Sequence, residues 1–138
     1  MIRLTLENDK SIIVAPHAIL IVESFTAAET SDNRAAGVWL TLGGATKSAI
    51  LQDQYESITR KLGSDRIQLS GKDGKKFSLP PHLIDHAIEM ENGMTLVHTS
   101  LNSGNGPVAL EVHDSAKAIM AAIAPEPELE TIEVEDAE

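Results

Sequence analysis

The chain has 138 residues, 42% of them apolar and 23% charged, with 21 acids against 11 bases, a formal charge of −10 and no cysteine. That length suits one ordinary domain or two very small ones, with apolar content enough for a core. The charge disfavours a nucleic-acid or anionic membrane partner. Disulfides, thiolate zinc sites and cysteine nucleophiles are excluded. No apolar run approaches the ~20 residues of a membrane span, and Arg3, Glu7 and Asp9 interrupt any leader-like stretch at Met1. The expectation is a soluble, cytoplasm-made protein.

Ile2, Leu4 and Leu6 alternate with Arg3, Thr5 and Glu7, the signature of a half-buried strand. Asn8-Asp9 turns the chain, because both residues tolerate positive φ, into a return strand over Ser11–Ala15 closed by Pro16. A third strand is predicted at Ile19–Phe25. Val38, Leu40 and Leu42 alternate again, and Gly43-Gly44 leads to a strand at Ser48–Leu51. Asp53 reads as the N-cap of a helix with Tyr55, Ile58 and Leu62 on one face, ended by Gly63.

The same succession then recurs. Ile2-Arg3-Leu4-Thr5 aligns with Ile67-Gln68-Leu69-Ser70, Asn8-Asp9-Lys10 with Asp73-Gly74-Lys75, and Pro16-His17-Ala18-Ile19 with Pro81-His82-Leu83-Ile84, all at an offset of 65. Asp53–Leu62 aligns with Asp114–Ile123 at an offset of 61, so a net four-residue difference falls in between. The second helix is expected to turn Ala116, Ile119, Met120 and Ile123 inward, with Asp114 as its cap. Leu83 to Ile88 fit a helical turn on their own and a strand by the repeat; the repeat decides for strand. The expected fold is mainly β (α+β): two copies, 1–64 and 65–124, of a small antiparallel sheet or barrel-like module, each closed by a short helix, and an acidic tail, 125–138.

Ile2-Arg3-Leu4-Thr5, Asn8-Asp9, Ile19-Leu20-Ile21-Val22-Glu23 and Asp53 to Leu62 together resemble the small FlbD-like modules of flagellar operons and phage genomes. The first copy matches over most of its length. The second departs where Ile88-Glu89 shifts by one residue and a Gly-rich loop is inserted. The resemblance implies no catalytic residues, and so an interaction module rather than an enzyme.

The chemistry-bearing patterns are few. His82 and His86 are spaced for a shared metal on a helix, but His82 repeats His17 beside a proline, a turn feature, and no metal or other cofactor is expected. No Gly-x-Ser-x-Gly elbow frames a serine. Trp39 points to the face opposite Val38 and Leu40, as an anchor for a second buried layer or a partner. The tail holds seven acids and no base, leaving −3 on the body. Within it Ile132 and Val134 alternate with Glu133 and Glu135, a pattern that can add to a sheet edge. These five residues are the interface candidates. The expected partners are further copies or other assembly subunits, as in a phage virion component such as a capsid decoration or assembly protein. The alternative is a protein that sequesters a nucleotide between protomers, its pocket lined by the glycine loop at Gly104 and Gly106 with Arg66 and Lys72.

Overall fold

A computed structural model describes residues 1–25, 35–63, 65–104 and 106–123. The fold is mainly β, with antiparallel sheets and two short helices. In chain order the elements are β1 (Ile2–Thr5), β2 (Ser11–Val14), β3 (Ile19–Ser24), β4 (Ala35–Leu42), β5 (Ala45–Ala49) and α1 (Tyr55–Leu62). There follow β6 (Ile67–Ser70), β7 (Lys76–Leu79), β8 (Ile84–Glu89), β9 (Thr95–Asn102), β10 (Pro107–Val112) and α2 (Ala116–Ile123). Five strands and a helix thus occur twice in the same order. Single 3-10 turns at Pro16–Ala18 and Pro81–Leu83 precede β3 and β8. The conflict over residues 83–88 resolves physically. Proline fixes φ for one tight turn, and the chain then extends.

β1 and β2 form a hairpin of their own, β5-β4-β3-β7-β6 a five-stranded sheet, and β10-β9-β8 a three-stranded one. Among the described residues no sheet closes into a barrel. The second edge of β3 goes to β7, at Val22↔Ser78 and Glu23↔Phe77, rather than to β2. β5 begins at Ala45, earlier than the expected Ser48. Gly43 and Gly44 both take positive φ (59° and 82°), so the two-residue turn lets Leu42 pair with Ala45 at once. The net four-residue difference between the halves arises in two loops, with one further residue lost between the last strand's start and the helix. Ten residues join β3 to β4 against five joining β8 to β9, and two join β4 to β5 against four joining β9 to β10.

Two apolar clusters fill the interior. The first holds Leu4, Ile19, Val22, Leu40 and Leu51, with Tyr55 and Ile58 of α1. The second holds Leu69, Phe77, Leu79, Val97 and Val112, with Ile119 of α2, and it also takes Leu20 and Ile21 from β3. A β-bulge lies between Ile19 and Ile21. It lets β3 send Ile19 and Val22 to one cluster and Leu20 and Ile21 to the other, which explains its unbroken apolar run. At roughly 1.5–3 kcal/mol for each fully buried aliphatic side chain, β3 contributes heavily to both cores. The second helix corrects the sequence reading: Ile119 is buried, whereas Met120 is 71% exposed and Ile123 39%. α2 presents one narrow stripe: spacing sets which residues share a face, and in this eight-residue helix the core is met at Ile119.

The two aspartates are also corrected. Gln54 occupies the N-cap of α1 and makes no side-chain cap. Asp53 Oδ1 instead accepts the Thr5 backbone N–H at 2.7 Å, and Asp114 Oδ1 accepts that of Ser70, also at 2.7 Å. Each carboxylate ties the approach to a helix onto the first strand of its half. The side-chain cap of α2 comes from Ser115, whose Oγ accepts the Ala118 N–H at 3.0 Å.

Candidate functional site

The chemically richest surface is the seam where β3 and α1 meet β6 and β7. It forms because β7 offers its open edge to β3 and the outer face of the β6–β7 hairpin lies toward the first turn of α1. Arg66, just before β6, reaches back to β3. It donates to the carbonyls of Leu20 at 2.6 Å and Ile19 at 3.2 Å, and to the Ser78 carbonyl at 2.8 Å and Oγ at 2.9 Å. Burial pushes its guanidinium down to about 10, so it is still a cation at neutral pH. Tyr55, buried, donates its hydroxyl to Gln68 Oε1 at 3.1 Å. Desolvation, with Glu56 second, raises its pKa beyond the ordinary phenol range. Lys76 bonds Glu56 at 3.1 Å, which holds that carboxyl below its usual range. Lys75 bonds Glu23 at 3.2 Å, and the Lys76 N–H donates to Ser24 Oγ at 2.8 Å.

Trp39 stands at this seam. Its neighbours Val38 and Leu40 are buried in the first cluster, while Trp39 is half-buried and packs against the second. Glu23, Lys75 and Trp39 separate two open clefts. One, of 660 Å³, runs toward Leu6, Phe25 and Ile50; the other, of 480 Å³, runs toward Lys72, Phe77 and Val108. Gly37, in the first cleft, has no room for a side chain, because a Cβ there would lie 2.8 Å from the Ala49 carbonyl oxygen.

The residues of the nucleotide reading do not converge. Arg66 lines a third cleft with Glu56 and Ser78, and its donors point at backbone carbonyls. Lys72 lies in the cleft beside Trp39 and pairs with Glu111 at 3.4 Å. Gly104 and Gly106 lie in the β9–β10 turn with φ of 94° and 116°. The Gly104 N–H is taken by Asn102 Oδ1 at 2.9 Å, and the Gly106 carbonyl accepts the Ser103 N–H at 3.0 Å. Ile132, Glu133, Val134 and Glu135 lie outside the described residues. His86 stacks on His98 across the β8–β9 pair, centroids 4.3 Å apart, and bonds Asp85 at 2.9 Å; His82 is apart in its 3-10 turn. Among the described residues no three histidine or acidic side chains are grouped to hold a metal, and no helix is long and apolar enough to cross a membrane.

Glu23, Tyr55, Glu56, Lys75 and Lys76 were missed as seam residues by sequence reasoning. The available signal was the wholly apolar run Ile19–Val22, which needs a cover on both faces. No protein-family model, curated protein or solved structure matches this chain, so its functional reading rests on the seam geometry and the sequence pattern.

Proposed function

We propose that the protein is a non-enzymatic structural or interaction protein, used in many copies as an assembly component. On this reading it is a tandem duplication of a FlbD-like β-rich module, 1–64 and 65–124, followed by the acidic tail. The duplication is supported by paired details. The bulge at Ile19/Ile21 recurs at Ile84/His86, and the isolated bridge Leu6↔Leu51 recurs as Gly71↔Val112. The Gln52 N–H to Thr5 carbonyl bond of 2.8 Å recurs as His113 to Ser70 at 2.7 Å. Strand registers continue the pattern: Val22↔Val38 in the first half matches Ala87↔Val97 in the second.

The observation that carries the functional reading is how the seam uses its charges. Arg66 makes four hydrogen bonds, two to β3 across the seam and two to Ser78 within its own half, and Lys72 faces Glu111. The groups best suited to bind a phosphate thus serve the protein's own architecture, which favours partner binding over nucleotide sequestration. The resemblance to phage modules makes a virion role, as capsid decoration or assembly protein, the expected setting.

A thermal-shift screen against nucleotides, run with light scattering, separates the readings. The assembly reading predicts a melting temperature unmoved by any nucleotide, with light scattering giving the size of any assembly that the chain forms by itself. A ligand at 100 times its Kd would add about 2.7 kcal/mol of stability. A rise of many degrees with one nucleotide replaces the assembly reading with sequestration.

A further inference from the structure

The seam inside the chain has an unused counterpart at each end of the molecule. At the offset of 65, β3 corresponds to β8 and β7 to β2, so the β3–β7 pairing has its equivalent in β8 against β2. That pairing is not made within the chain. Among the described residues β2 pairs only with β1, and β8 only with β9. Among the described residues, both strands keep one open edge.

The residues at these ends differ from their seam counterparts in one direction. Arg66, Ser78, Glu23 and Thr59, all at the seam, correspond to Met1, Ile13, Ile88 and Met120. Those four are 81%, 64%, 50% and 71% exposed, and they are four of the seven large hydrophobics that are exposed among the described residues. Where the inner seam carries polar groups, the outer positions carry apolar side chains facing water. Exposed apolar side chains gathered on two complementary surfaces mark a contact between molecules.

We propose that a second copy of this chain docks there, head to tail. β8 of one copy lies antiparallel along β2 of the next, in the register of the inner seam: Ala87 opposite Ile13, and Ile88 opposite Ile12. α2 then brings Met120 over Met1. The same register sets Lys10, just before β2, against Ile88, where the inner seam has Lys75 with Glu23, so the outer joint replaces that carboxylate with an apolar side chain. Asp85, His86 and His98 stand where the inner seam has Leu20, Ile21 and Trp39. No side chain of one copy therefore enters the core of the next, and the contact is a reversible edge-and-rim joint. Because the β2 end and the β8 end are different surfaces, each docking leaves one of each free, and growth continues as a chain or closes as a ring. This rests on the duplication reading and names the partner that the assembly reading leaves open.

The test uses the full chain with two exposed-site variants, Ile13→Glu and Ile88→Lys, in sedimentation velocity over a wide concentration range. Each places a like charge against the arriving strand and blocks one end only. The wild type should gain mass with concentration, and each variant alone should stay at 14.8 kDa. An equimolar mixture should give a dimer and nothing larger, since one open end of each variant survives. Ile13→Thr and Ile88→Thr replace either variant whose circular dichroism departs from wild type. A wild type that remains monomeric overturns the inference, as does a single variant that still associates or a mixture that stays monomeric. The assembly reading fails separately, by a nucleotide-induced melting shift.

Discussion

Replacing Arg66 tests how the two halves are held together. Its guanidinium makes four hydrogen bonds, two of them to the carbonyls of Ile19 and Leu20 beside the bulge in β3. There the pairing with β4 slips and the pairing with β7 has not yet begun. A charge-assisted bond contributes about 1.5–3 kcal/mol, but bonds to one group do not add in full. Burial opposes the charge, as the lowering to about 10 records, and offsets part of the gain. For Arg66→Ala we expect a loss of about 3 kcal/mol, and for Arg66→Met, which keeps the apolar stem, about 2 kcal/mol. For a folded body of this size about 3 kcal/mol lowers Tm by roughly 10 °C. Urea and thermal melts followed by circular dichroism measure it, with exposed Arg60→Ala as a control staying within about 0.5 kcal/mol of wild type. An Arg66→Ala protein losing less than about 1 kcal/mol, like a surface residue, would refute the clamp.

Asp53→Ala and Asp114→Ala each remove the carboxylate acceptor of a strand N–H and should cost about 1.5–3 kcal/mol in urea melts; a nil effect at either site contradicts its strand-tying role. Ile21 is wholly buried in the second cluster, and Ile21→Ala should cost about 2–5 kcal/mol despite coming from the first half. The lowered pKa of Glu56 means that the folded state holds its proton less tightly than the unfolded chain. Its pair with Lys76 therefore stabilises above the ordinary carboxylate range and is lost as pH falls through the folded pKa. Both side chains are solvent-accessible, so Glu56→Gln should cost only about 0.5 kcal/mol at pH 7, and the difference from wild type should vanish in acid. Truncation after Ala124 should leave the circular dichroism spectrum and Tm nearly unchanged while weakening oligomerisation; equal assembly without the tail would leave it as a solubilising appendage.

Strand positions were legible because alternation of apolar and polar side chains is a local signal, and it located β1, β3 and the return strand β2 within a residue or two. The wholly apolar run from Ile19 to Val22 announced a strand covered on both faces, although not what covers it. Asp53 and Asp114 were misread because an acid before an apolar helical pattern looks like a cap. The competing donor, a strand N–H more than 40 residues away, leaves no local mark. The same distance hides Arg66, whose partners on β3 lie 46 and 47 residues earlier. α2 was read as too deeply buried, because spacing tells which residues share a face and not how much of it the core can reach. The nucleotide reading joined Gly104, Gly106, Arg66 and Lys72 by residue type alone, and type does not say whether a donor is already engaged.

The head-to-tail joint brings the open edge of β8 in one copy onto the open edge of β2 in the next. Amide hydrogen exchange, compared between dilute and concentrated protein, tests it residue by residue. Protection is expected to rise with concentration over residues 11–14 and 84–89 and to stay unchanged at the amides of β5, an edge strand outside the joint. Exchange that is independent of concentration at β2 and β8, or added protection confined to other edges, would contradict it.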